Sequence, residues 1–254
     1  METLDAQLDT LIIKLKNSDN FVDDLENVKS VYPFNRYEYI ISALLSEKVL
    51  TYDDYLDLRN QYIDRNLFLY VFEISAPRGF GDTWAFSHLL SVEPDLKRPN
   101  RKIEASYKGE YDLYLPRPDG SGIIRIEVKA SRAVNRDKAD EPLYVKALAS
   151  DAKTRFLMNF QQLKPSCCDV FLWVAVYRDC VKYWVLKNNV IPKHPAFTPQ
   201  HRNASTSGRA ADYDKNSIYE GQIMITDENI KTIEKYAVEG RQLNKAIINQ
   251  FLAK

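Results

Sequence analysis

The sequence predicts an α/β (α+β) protein with a mixed central β-sheet flanked by helices and an N-terminal helical layer. Three observations predict it. Apolar residues recur at helical spacing up to about residue 92, the period changes to two from about residue 103, and a very apolar run, DVFLWVAVYRD, follows. Runs of helix, then strands, then mixed elements are the pattern of a layered α+β or α/β core.

The helical layer is justified first. Leu4, Leu8, Leu11, Ile12 and Leu15 mark one helical face, and Tyr39, Ile40, Ala43, Leu44 and Leu45 mark another. Thr51 is placed to cap a helix over TYDDYLDLRNQYIDRN, ahead of acidic residues that suit the positive end of the helix dipole. The run NLFLYVFEIS fits a buried helix or a strand. The Pro77–Gly81 cluster breaks the chain, and Asp82 is a candidate cap for a helix over TWAFSHLLSV. The expected organisation is a helical region over 1–92 and a core over 93–254.

In the core, KIEASYKGEYDLYLP reads as one or two strands and IIRIEVKAS as another. Between them DGSG (119–122) is a turn, because glycine tolerates positive φ. Residues 110–131 therefore read as an antiparallel hairpin. Residues 143–163 are expected to be helical, with Leu148, Ala152, Phe156, Phe160 and Leu163 buried and Pro165 ending the helix. DVFLWVAVYRD and KYWVLK read as a strand pair. Residues 187–217 lack periodicity and are rich in Pro, Asn, Ser and Thr; a loop that long within a domain is usually functional or disordered. GQIMIT returns to strand alternation, and 227–252 reads as helical.

Composition narrows the function. Lys plus Arg and Asp plus Glu both number 35, which argues against a polycation that coats nucleic acid and directs attention to local charge. Three cysteines, two of them adjacent, do not make a disulfide framework and fit a reducing compartment. The three histidines, His88, His194 and His201, are too scattered for zinc-ligand spacing. No stretch has the length of a membrane span, and METLDAQLDTLIIKLK lacks the basic start of a signal peptide, so a cytoplasmic location is expected. Trp84, Trp173 and Trp184 are expected in the core, and His88 as a packed helix residue.

The chemistry-bearing pattern is Asp112, a hairpin turn, then Glu127-Val128-Lys129. Residues i and i+2 of a strand share a face, so Glu127 and Lys129 point together, opposite Ile126 and Val128. Asp112 on the neighbouring strand can lie beside Glu127. Two carboxylates suit a hard oxygen-seeking cation such as Mg2+, and a lysine beside them can orient or help deprotonate the attacking water, or offset the charge that builds up on the phosphate. A solvated hairpin face explains the same alternation. A two-carboxylate glycosidase is disfavoured, since a lysine two residues after the glutamate has no role there.

These residues, on YDLYL and IRIEVKAS, resemble the PD-(D/E)XK nuclease superfamily, and within it a type II restriction endonuclease. The resemblance covers roughly residues 103–185 and departs from the pattern at Tyr111, where a proline is usual. It implies a restriction-endonuclease-like core, catalytic Asp112, Glu127 and Lys129, and Mg2+ held by Asp112 and Glu127. It also implies a glutamine after the ExK strand, Gln161 or Gln162, and an additional acid from Asp82, Glu93 or Glu104. The substrate would be double-stranded DNA, cut by a homodimer, with the helical region over 1–92 serving dimerisation or DNA clamping. A repair, recombination or transposon-type nuclease and a non-catalytic DNA-binding module are the alternatives. Phosphate and base contacts are expected from Arg101, Lys102, Arg132 and Arg136, and from His201, Arg202, Asn203 and Arg209 in the long loop.

Overall fold

The computed structural model describes residues 41, 44–45, 47–199 and 220–253. The predicted helical faces before residue 41, and the loop residues His201, Arg202, Asn203 and Arg209, lie outside the described residues. The chain divides into two compact units, Met1–Leu67 and Phe68–Lys254.

In the first unit, helix α1 (Tyr52–Asp64) starts as the sequence predicts. The Thr51 side chain accepts from the Asp54 backbone N–H, and the Asp54 carboxylate accepts from the Thr51 backbone N–H. This reciprocal cap satisfies two donors that the first turn leaves without partners. Ile41 and Tyr62 are buried together, with Leu50, Tyr55 and Leu58 against them.

The second unit is a mixed α+β structure with two sheets. Its five-stranded sheet runs β1 (Leu113–Pro116), β2 (Ile123–Arg132), β5 (Val170–Val176), β6 (Val181–Lys187), β9 (Ala237–Val238). Strands β2 and β5 are parallel; the other pairs are antiparallel. A four-stranded antiparallel sheet runs β3 (Val134–Asn135), β4 (Phe156–Leu163), β8 (Gly221–Thr226), β7 (Phe197–Pro199).

Strand alternation decides what each face buries. Along β5, Val170, Leu172, Val174 and Val176 join one apolar cluster, while Phe171, Trp173 and Ala175 join a second. The strand is buried on both faces, which is why its sequence is a continuous apolar run. The first cluster includes Leu89 of helix α2 (Phe86–Val92) and Leu243 and Ile247 of helix α3 (Leu243–Leu252). The second packs the large sheet against the small one, with Phe160 stacked on Trp173 at 4.3 Å between ring centroids. The layers are therefore helices, five-stranded sheet, four-stranded sheet.

Several expectations are corrected. Residues 143–163 do not form a helix: 142–155 are turns and bridges, and Phe156–Leu163 is strand β4. Met158 and Phe160 alternate inward as a strand requires, but a bulge follows, with Gln162 at φ 56°, and returns Leu163 to the core. That extra residue turns a period of two into an apparent helical spacing. Asp82 caps no helix; it sits inside a π-helical stretch, Gly79–Ala85, that runs into α2. NLFLYVFEIS contains a single 3-10 turn, Leu69–Glu73. Residues 101–112 are turns rather than strand, and the segment 227–252 is helical only in short 3-10 turns and α3, interrupted by β9. The expected boundary at 92 falls within the second unit, because Leu69, Val71, Phe72, Phe80 and Leu89 are buried in the same cluster as β1 and β2.

The three tryptophans and His88 sit as expected. Trp173 and Trp184 are buried, and Trp84 stacks between Phe80 and His88. His88 is bonded to the Tyr183 hydroxyl at 2.6 Å, and burial pulls its pKa down. Among the described residues, no helix is long and apolar enough to cross a membrane.

Candidate active site

The β1–β2 hairpin sets the geometry. Its turn forms as predicted: Gly120 stands at φ 70°, and the Arg117 N–H donates to the Gly122 carbonyl at 2.8 Å. Leu113–Ile126 is the last in-register pair of the hairpin. Beyond it the Asp112 N–H donates to that same Ile126 carbonyl at 3.0 Å, a one-residue shift that ends the ladder and leaves the Asp112 carboxyl close to Glu127. The Asp112 carboxylate then accepts from the Val128 N–H at 2.8 Å, which fixes it at the end of β1.

On β2, Arg125, Glu127, Lys129 and Ser131 occupy one face and Ile124, Ile126 and Val128 the other. The charged face is not a solvated one. Glu127 is 7% exposed, and the Lys129 side chain is 17% exposed with its Nζ 2.6 Å from Glu127 Oε1. Ser131 is buried, and its Oγ accepts from the Asn159 N–H of β4 at 2.9 Å. This face looks toward the second sheet, which is what removes Glu127 and Lys129 from water.

The electrostatics follow from that burial. Desolvation and the neighbouring Glu127 carboxylate push Asp112 up to about 7, against the opposing pull of the Val128 N–H and of Lys129. Burial alone would pull the Lys129 ammonium down, but Glu127 and Asp112 more than offset it and hold it above its ordinary value. The cluster is thus one firmly held cation beside two carboxyls, of which Asp112 holds its proton more tightly than an ordinary carboxyl does.

Neither a family model nor a curated protein matches the chain.

Among the described residues, no group of three or more His, Cys, Asp or Glu is gathered to hold a metal ion. The oxygen donors from side chains at this site are the Asp112–Glu127 pair. Such a pair suits magnesium, which takes one or two carboxylates and fills its remaining positions with water and phosphate oxygen. Asp112 and Glu127 are near enough to act on each other, as two ligands of one ion must be.

The other candidates separate. Glu104 is engaged on both oxygens, by the Tyr111 hydroxyl at 2.7 Å and by the Arg125 guanidinium. Asp82 and Gln162 line one cavity of ≈ 670 Å³ with Arg78. Gln161 and Gln162 are both exposed, on a strand rather than the expected helix. Glu93 accepts from the Asp95 N–H at 3.2 Å. Arg101 and Lys102 are exposed in a turn, and exposed Arg136 lies 3.8 Å from Glu228. Arg132 turns inward instead: its guanidinium donates to the Val71 and Ile74 carbonyls and covers the Phe80 ring at 3.9 Å. That guanidinium ties β2 to the helical layer.

Sequence reasoning missed the wall of the site. The Cys168 thiol is pushed up by burial, by Cys167 and by Glu127, which puts the cysteine pair next to the acid. Tyr107 is raised by burial and by Asp112, Glu110 and Glu127. The available signal was positional. Cys167 and Cys168 immediately precede β5, the parallel neighbour of β2, so they arrive beside the stretch where Glu127 sits.

Proposed function

We propose that the protein is a magnesium-dependent DNA endonuclease of the restriction type, with a restriction-endonuclease-like core formed by the hairpin and the parallel β2–β5 pair. The observation that carries this reading is the convergence of Asp112, Glu127 and Lys129 at one buried spot, with Lys129 Nζ 2.6 Å from Glu127.

Each residue has a task in phosphodiester hydrolysis. Asp112 and Glu127 would hold the ion, which when bound supplies Lewis-acid polarisation of the phosphate and a lower pKa for water. Glu127 and Asp112 hold the metal-free Lys129 ammonium above its ordinary value, so it would serve as a hydrogen-bond donor and positive charge toward a phosphate oxygen. The Val128 N–H fixes the orientation of the Asp112 carboxylate before any ligand arrives. Cutting both strands of a symmetric site calls for two copies, so a homodimer acting on double-stranded DNA in the cytoplasm completes the proposal.

A second reading has one observation in its favour. Asp112 satisfies the Val128 N–H where β1 ends, a structural task that a non-catalytic DNA-binding module would also need.

The test is incubation with plasmid and mixed genomic DNA, with magnesium and with a chelator, followed by sequencing of fragment ends. Discrete ends at a common short sequence, lost with the chelator, are expected. Random ends would shift the activity toward a repair or recombination nuclease. Intact DNA under all divalent-metal conditions would overturn the enzyme reading.

A further inference from the structure

We infer that the cavity of ≈ 340 Å³ beside the hairpin is the subsite for the nucleotide next to the scissile phosphodiester, with Arg125 as its phosphate contact and Glu104 as the residue that positions Arg125. This inference rests on the nuclease reading and deepens it.

The cavity is contiguous with the candidate site. Its lining includes Tyr111, which precedes Asp112, and Cys167, which adjoins Cys168 beside Glu127. Ser106, Lys108, Ser166 and Arg125 line it with donors suited to phosphate oxygen, beside the carboxylates of Glu104, which is bonded to Arg125, and Glu110, which accepts from the Lys108 N–H. Arg125 lies on the same face of β2 as Glu127 and two residues before it. Two residues along a strand advance about 6.6 Å, on the order of one nucleotide step along a DNA strand. A strand whose scissile phosphate sits at Glu127 and Lys129 therefore brings a neighbouring phosphate to Arg125.

The surroundings of Arg125 are those of a held donor. Glu104 takes its guanidinium with one oxygen and the Tyr111 hydroxyl with the other, and the guanidinium lies over the Tyr111 ring at 5.8 Å. Glu104 stays ionised, because the Tyr111 hydroxyl above all, and Arg125 after it, lower its pKa against desolvation. A guanidinium has five N–H donors, so one carboxylate oxygen leaves most of them for a ligand. The Arg125 side chain is 46% exposed, open to such a ligand. Glu104 thus acts through Arg125, which takes it off the set of acids available to a metal.

The experiment is equilibrium binding of a labelled 30-base-pair duplex across a salt series, together with steady-state cleavage, for the wild type, Arg125→Ala, Arg125→Lys, Glu104→Ala and Glu104→Gln. Arg125→Ala should weaken binding several-fold and lower the slope of log affinity against log salt by about 1, the signature of one lost phosphate contact. Arg125→Lys should restore the slope, and the cleavage loss should fall mainly on KM. Glu104→Ala should weaken DNA binding more than Glu104→Gln, which keeps an oxygen for Arg125. Wild-type binding and cutting, with an unchanged salt slope in a folded Arg125→Ala, would overturn the subsite and leave the nuclease standing. An effect of Glu104→Ala on melting temperature alone, with DNA affinity unchanged, would overturn its positioning role. Failure of the wild type to bind DNA would overturn both readings together.

Discussion

The two faces of strand β2 have the same neighbours in sequence and opposite physical histories. On one face, Ile124, Ile126 and Val128 pack into the helix-side cluster, where removal of apolar area from water is the driving force. On the other, Glu127 and Lys129 are almost as well buried, but burial there opposes the charges it covers. The hydrophobic face needs no further explanation. The charged face costs stability that apolar residues of similar size would not, and such sites are commonly functional. Alternation alone does not distinguish a wet face from a buried charged one; what packs over the strand does.

The comparison can be broken most sharply at Lys129. Lys129→Met leaves Glu127 beside Asp112 with no cation, and should cost about 3 kcal/mol in chemical denaturation at neutral pH. A loss under about 0.5 kcal/mol, the level of an exposed pair, would mean the face is effectively solvated. Ile126→Ala on the apolar face should cost about 2–5 kcal/mol, with no direct effect on metal-dependent chemistry beyond the loss of folded protein. The double variant Glu127→Leu, Lys129→Met should be near neutral or more stable than the wild type, because it removes both desolvated charges at once. A double variant as unstable as the single one would show that the pair is structural.

A smaller effect is the pH dependence of the metal-free protein. Asp112 is raised to about 7 in the folded state from an ordinary value of 3.8, so the folded state binds the extra proton between those limits. Stability from this group is present at low pH and is lost as pH rises from about 4 through about 7. Thermal melts of the wild type should therefore fall relative to Asp112→Asn across that window and run parallel above it. Magnesium should narrow the difference at neutral pH, since binding needs the ionised carboxylate. A melting curve parallel to that of Asp112→Asn at every pH would contradict the raised carboxyl.

Much of this was legible in the sequence. The hairpin, its turn at Gly120, the approach of Asp112 to Glu127, and the shared face of Glu127 and Lys129 all follow from local period and hairpin pairing. The doubly buried β5 was legible for the same reason. What was not legible is non-local or aperiodic. The bulge at Gln162 disguised β4 as a helix, and with it the sheet that covers the site. The inward turn of Arg132 depends on carbonyls some sixty residues upstream, and the capture of Glu104 by Arg125 depends on a fold-back of the 101–112 turns. A basic residue near a catalytic motif reads the same whether it meets phosphate or a backbone carbonyl.

On the nuclease reading, the Asp112–Glu127 pair exists for chemistry rather than for holding the hairpin. Asp112→Asn tests it most directly, because the amide keeps an oxygen for the Val128 N–H and removes the charge. The account predicts a variant that melts no lower than the wild type, still binds duplex DNA, and has lost magnesium-dependent cleavage by about 100-fold or more. A variant that cuts like the wild type, or one that unfolds while the wild type never cuts, would contradict it.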